Sequence, residues 1–246
     1  MQVTLVTHYG EKPDDLAALI LNCQELLSLR LASSFRPYQL EQVHGTIIGL
    51  EGHQESGRLL NRNSGEQVDP KALLRFLRKQ FPSIDIRIGG FNDWANYAFQ
   101  SRGTHPYLRS FSIQGKIAVA MGWPVQGDAF PNSMDDLRWK FCRDLGLRHK
   151  WHNTEDAVDN DLFFVLGRVE ESIRADRLHH AMTEVRAFLS SLDGLFVRIE
   201  KDTLRVVAYM DEQLPLETSS VYSVDDPLLT PDRLLSYYPV SAGGLI

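Results

Sequence analysis

The chain has 246 residues, 43% of them hydrophobic and 24% charged, with a formal net charge of −6 at neutral pH. That length admits one large domain or two small lobes with a sizeable core. The negative balance excludes a protein that coats nucleic acid through its phosphates, though not one small nucleotide or RNA end in a locally basic cleft.

The N-terminal MQVTLVTHYG lacks the basic end and cleavage site of a signal peptide, and no long apolar run marks a membrane-spanning helix. A cytoplasmic protein with no membrane contact is expected. The two cysteines, Cys23 and Cys142, lie far apart in segments read as helices, which suits free thiols in a reducing compartment.

In chain order, MQVTLVTHY alternates as a strand and turns at Gly10. PDDLAALILNCQELLSLRL opens on proline and acids and carries Leu16, Leu19, Ile20, Cys23, Leu26 and Leu27 on one helical face. A strand is expected within residues 39–52. Asp69-Pro70 caps a second helix with Leu73, Leu74 and Leu77 inward. SIDIRIGGF alternates strictly, and the aromatic-rich stretch 92–107 reads as irregular. Strands follow around LRSFSIQ and KIAVAMGW. Ser133 and Asp136 resemble a capping box opening a helix that Gly146 ends. Next comes the polar HKWHNTEDAVDND, where His149 and His152 read as surface residues. LFFVLGRVE is a strand apolar on both faces, and a long helix carries Leu178, Met182, Val185, Leu189 and Leu192. Two strands close the domain, LFVRIEK and TLRVVAYM. From Asp211 on, the Pro-, Ser- and Asp-rich tail shows no periodicity and is expected to wrap the surface.

Strands that follow one another directly make antiparallel sheet the expectation, in an α+β fold. The polar break in the middle strand is His44-Gly45-Thr46. Residues i and i+2 of a strand face one side, so His44 and Thr46 point together, away from Val43 and Ile47. A histidine beside a hydroxyl can exchange a proton while the hydroxyl binds a phosphate oxygen. A core histidine satisfied by a backbone carbonyl has the same local pattern.

The element order, with His44-Gly45-Thr46 flanked by Ile47 and Ile48 and a later strand ending Leu166-Gly167-Arg168-Val169, resembles the two-histidine (2H) phosphoesterase superfamily. Its members include RNA 2′,3′-cyclic phosphodiesterases and the so-called 2′-5′ RNA ligases. The resemblance covers about residues 1–210 and implies a bilobal fold of two pseudo-symmetric antiparallel sheets flanked by helices. The lobes would be about residues 1–91 and 108–210, with residues 211–246 as a C-terminal tail. It implies His44 and Thr46 as catalytic groups of a cleft for a nucleotide or RNA-end phosphate, with no cofactor and no metal. Where the family carries a second histidine and threonine, this chain has Phe163 and Val165. These two would face His44 across the cleft as substrate-binding residues, with phosphodiesterase activity impaired or lost. His8 and Tyr9, at the end of the first strand, are further candidates for the cleft. Two alternatives stay open: a surrogate second histidine that restores activity, or a vestigial cleft with a protein partner on the C-terminal tail.

Overall fold

The computed structural model describes residues 1–152, 154 and 157–240. β1 (Gln2–Thr7) and α1 (Asp14–Leu31) form where alternation and the acidic first turn place them. α1 is the one described helix long and apolar enough to cross a membrane, but Leu16, Ile20, Cys23 and Leu27 bury its apolar face in the core. β2 (Phe35–Pro37) follows, unexpected from its three residues. The strand expected within 39–52 is shorter: Leu40–Gln42 is a 3₁₀ turn and β3 spans Gly45–Gly49, so His44 stands just before it.

A small three-stranded sheet comes next, built from β4 (Gly52–Glu55), β5 (Arg58–Asn61) and β6 (Gln67–Val68). Its turn residues Ser56 and Gly57 both have positive φ, 50° and 77°, the hand of a tight two-residue hairpin. α2 (Pro70–Lys79) starts under the Asp69 side chain, which accepts from the Lys71 amide, and β7 (Ile84–Ile88) follows. The aromatic stretch ends in α3 (Pro106–Ser110), ahead of β8 (Phe111–Gln114) and β9 (Ile117–Pro124). α4 (Ser133–Leu145) is ended by Gly146 at φ 68°. The capping box expected at its start is absent. Asn160 Oδ1 accepts from the Met134 amide instead, because Asp135 and its neighbours are drawn into a buried network. β10 (Leu162–Val169), α5 (Ala175–Ser191), β11 (Leu195–Ile199) and β12 (Leu204–Tyr209) follow as the apolar patterns predict.

The tail does not merely wrap the surface. It supplies β13 (Ser220–Ser223) and α6 (Pro231–Leu235), and buries Leu229, Leu234, Tyr237 and Tyr238 in the main core. Tyr238 Oη donates to the Leu50 carbonyl at 2.9 Å, and Arg78 donates to the carbonyls of Val224 and Leu229. Short polar residues hide this pattern in sequence, since the apolar anchors are spaced irregularly.

All strands of the large sheet pair antiparallel, in the order β11-β7-β9-β10-β3-β1-β12-β13, with β2 added to β10 and β8 to β9. The fold is α+β. Two halves meet at one pairing, Phe164 opposite Gly45, where a β-carbon on residue 45 would lie 2.9 Å from Leu162 Cδ1. The halves do not follow the chain: β7 joins β9 and β11, whereas β12 joins β1. The boundary between lobes at 91 and 108 is therefore crossed by both.

This order also bends the sheet. β11 and β12 are six strand spacings apart, about 29 Å if flat at ~4.8 Å each. The link from Ile199 to Leu204 reaches at most roughly 17 Å. The sheet must therefore curl until its two halves face each other across a hollow.

Alternation assigns the two faces. Val3, Leu5, Ile47, Leu162, Phe164 and Leu166 point into the helix-covered core. Thr4, Thr46, Phe163 and Val165 point to the other side, into a cavity.

Candidate functional site

That cavity encloses about 240 Å³. β3 and the residue before it bring His44 and Thr46 to one wall, and β10 brings Phe163 and Val165 to another. His44 Nδ1 donates to the Gln42 carbonyl at 2.7 Å, the local 3₁₀ turn having placed that oxygen under the ring. The Tyr9 ring meets it edge-on at 5.6 Å between centroids. Burial pushes the His44 pKa down to about 4, against the Gln42 hydrogen bond and helped by the Lys12 charge. At neutral pH the ring is therefore uncharged, with its proton on Nδ1 and its basic lone pair on Nε2. Such a ring accepts a proton; it is not a standing cationic donor. The Thr46 hydroxyl makes no hydrogen bond with a described residue.

Arg168 also lines the cavity. On a regular strand its parity is opposite to that of Phe163 and Val165. The pairing of β10 with β9 slips between Val165 and Gly167, and this bulge turns Arg168 to their side. Gly167, at this slip, approaches β2 so closely that a β-carbon there would lie 2.4 Å from the Arg36 carbonyl. A glycine inside an apolar strand is the sequence signal for such a bulge.

Neither His8 nor Tyr9 lines this cavity. Tyr9 Oη donates to the Leu214 carbonyl at 2.7 Å, so it props both His44 and the segment that closes the cavity. His8 has a left-handed backbone, φ 55°, which turns it aside into a separate hollow shared with Lys12 and Arg205. Burial and the nearby Lys12 charge push its pKa down to about 4.

His149 and His152 are not surface residues: each is 1% exposed. His149 lines the cavity, but its Nε2 is bonded to Asp159 Oδ2 at 2.8 Å, and its Nδ1 is buried without a partner among the described residues. His152 Nε2 pairs with Asp135 Oδ1 at 2.9 Å while its ring stacks on Trp139, 4.4 Å between centroids. Burial holds the pKa of His149 down to about 4, with the Asp159 hydrogen bond opposing. Burial would raise the pKa of Asp159, but the His149 hydrogen bond, the Arg138 charge and the Arg102 hydrogen bond outweigh it and hold the carboxyl well below its usual range.

Arg138, fully buried, ties this network to the site. Its guanidinium donates to the carbonyls of Thr46, Ile47, Asp159 and Asp161. The polar look of residues 149–161 thus conceals a buried charge cluster. Its sequence trace is two histidines, His149 and His152, followed within a dozen residues by Asp159 and Asp161.

Lys150 adds a second cation to the cavity, and Glu51 and Glu212 stand elsewhere on its lining. Two further basic residues are paired, Arg102 with Asp159 and Lys116 with Glu171. The aromatic stretch packs rather than projects: Phe91, Tyr97, Phe99, Trp123 and Phe130 form a cluster of edge-to-face and tilted rings, although Trp94 stays exposed. Among the described residues no group of three histidine, cysteine or acidic side chains is arranged to hold a metal ion.

No family model matches the chain, and no curated protein does. Two solved structures are similar in outline. One is TT0787 of Thermus thermophilus, with 11% identity and a TM-score of 0.47, covering 90% of this chain and 94% of that one. The other is ATU0111 of Agrobacterium tumefaciens str. C58, a conserved protein of unknown function, with 13% identity and a TM-score of 0.42 over 80% of each chain. Likeness at this level carries no functional argument, so function rests on the site itself.

Proposed function

We propose that the cavity takes the phosphate of a nucleotide or RNA end, in a 2H phosphoesterase-like chain whose phosphodiesterase activity is impaired. The observation that carries this reading is the pair on one wall: a neutral His44 with its tautomer set by Gln42, and the Thr46 hydroxyl beside it. Thr46, Lys150 and Arg168 are donors for phosphate oxygens, and Nε2 of His44 can take a proton from a neighbouring hydroxyl or water. Phe163, Val165 and Ile117 offer a flat apolar wall to a base or sugar.

What the arrangement lacks is a second proton donor. Phe163 and Val165 cannot serve, and His149 is turned toward Asp159. Loss of one of two acid–base groups costs about 10²–10⁴-fold in rate. An imidazolium donor would have made binding fall as pH rises through neutrality. With the pKa of His44 near 4, that loss is expected well below neutrality.

Calorimetry with mono- and 2′,3′-cyclic nucleotides, beside a hydrolysis assay, tests the reading. Modest binding is expected, weakened by about 1–3 kcal/mol in Thr46→Val or Arg168→Ala, with slow or no turnover. No binding by the folded protein, or rapid turnover that survives His44→Ala, would overturn it. One observation favours a second reading: His149 lines the same cavity and is backed by Asp159, the arrangement of an acid–base histidine with its orienting carboxylate. Rapid turnover abolished by both His44→Ala and His149→Ala would select this second reading.

A further inference from the structure

His8 leaves β1 in a left-handed backbone conformation that a residue with a β-carbon rarely adopts. The turn sets its ring, 5% exposed, in the hollow shared with Lys12 and Arg205, where Nε2 is buried without a hydrogen-bond partner among the described residues. The pairing of β1 with β12 fixes the floor of this hollow. The His8 amide donates to the Thr203 carbonyl at 3.1 Å, and the hydroxyls of Thr7 and Thr203 meet at 2.8 Å.

The hollow measures about 360 Å³ and shares no lining residue with the first cavity. Two cations converge on it. The Lys12 ammonium donates to the Gly10 carbonyl at 2.9 Å, and Arg205 Nη1 donates to the carbonyls of Asp202 and Leu204 at 2.8 and 2.7 Å. Backbone oxygens hold both cations in place, so neither has to be ordered when a ligand arrives. Burial pushes the Lys12 pKa down to about 8, with the Glu41 charge opposing, so the ammonium is partly stripped of water yet charged at neutral pH. The charges that reach His8 are both positive, those of Lys12 and Arg205. Glu11 and Asp202 also line the hollow, but both are exposed, where water and salt screen them. Held, half-buried cations of one sign suit a small dianion. Apart from Pro13 no aliphatic residue lines the hollow, and the Tyr9 ring is committed to His44, its hydroxyl to Leu214. Nothing there receives a base or an acyl chain.

We propose that this hollow is a second anion site, separate from the first cavity, in which Lys12 and Arg205 bind a free phosphate dianion beside the His8 ring. The two cations supply the affinity, and the lack of an apolar wall selects the free ion over an esterified one. His8 touches the site without carrying charge, so its ring resonances report occupancy.

The experiment follows the histidine ring resonances of the full chain by NMR at pH 7 while inorganic phosphate is added at constant ionic strength. The His8 signals are expected to move and saturate, with a Kd on the order of 1 mM. Arg205→Gln and Lys12→Gln should each weaken that response about tenfold, the scale of one charge-assisted hydrogen bond, while Arg205→Lys retains part of it. Thr46→Val, in the first cavity, should leave the His8 response unchanged. Glycerol phosphate, which carries the same charge on a larger body, should bind no more tightly than phosphate. Tighter binding of the ester would overturn the assignment to the free ion. His8 signals that stay still while those of His44 move would place phosphate in the first cavity alone and overturn the second site. A His8 response equal in wild type and Arg205→Gln would overturn it as well.

Discussion

His44 illustrates how one residue's chemistry depends on what surrounds it. The motif suggests a histidine able to give or take a proton, whereas burial and the Gln42 carbonyl leave it neutral with a free basic nitrogen. Its folded pKa, about 4, lies below the ordinary 6.5, so between those values the unfolded chain binds the proton more readily. Its contribution to stability is therefore fully present above about pH 6.5 and is lost as pH falls toward 4. NMR of the histidine ring is expected to show His44 unprotonated with its proton on Nδ1 at pH 7 and 6, titrating only near pH 4. A midpoint close to 6.5 would show that burial does not govern the group, and would return His44 to the role of cationic phosphate donor.

At the scale of elements, α4 holds the site together through Arg138. One planar guanidinium satisfies carbonyls of β3 and of the 159–161 segment, so it fixes Thr46 relative to the loop that brings His149 and Lys150 to the cavity. Its charge lies 3.4 Å from the buried carboxylate of Asp159. Arg138→Met should destabilise the fold by about 3–5 kcal/mol, because removing one partner leaves a buried charge uncompensated. Arg138→Lys should recover little of it, since an ammonium cannot serve the same fork of acceptors. Urea unfolding measures both, and a loss under about 1 kcal/mol in either would show that the network is not a structural anchor. None of this was legible in the amphipathic pattern of α4, whose arginine reads as a solvated charge. The limits of the helix were legible, and inside it Met134, Leu137 and Phe141 are buried.

At the scale of the molecule, the C-terminal segment belongs to the fold. β13 extends the sheet beyond β12, and α6 packs with α2 while Tyr222, Tyr237 and Tyr238 close that end of the core. Ending the chain at Asp211 would expose Leu229, Leu234 and the pocket under Leu50. The truncated chain is expected to lose its cooperative thermal transition or to aggregate. A truncated chain melting as the full one does would return the tail to the role of a detachable partner-binding arm. The same paired tyrosines explain why a search for partners by deleting the tail would mislead, since any lost interaction could reflect lost folding.

Local periodicity determined much of this protein directly. The alternation of β1, β3 and β10, and the helical faces of α1, α2 and α5, depend only on neighbours in sequence, so the α+β class could be read from them. For the same reason, the shared parity of His44 with Thr46 and of Phe163 with Val165 was readable before any fold was known. The decisions left to tertiary structure concern distant partners. A slip in the pairing of β10 with β9, beside the close approach of Gly167 to β2, turned Arg168 into the cavity, and Arg138 reached across to β3 beside two buried histidines that look solvated. The single Phe164–Gly45 pairing joined the halves of the sheet, and the short link from β11 to β12 curled it. Pairing, desolvation and closure are set by which segments meet, and a linear pattern of residues does not encode that contact directly.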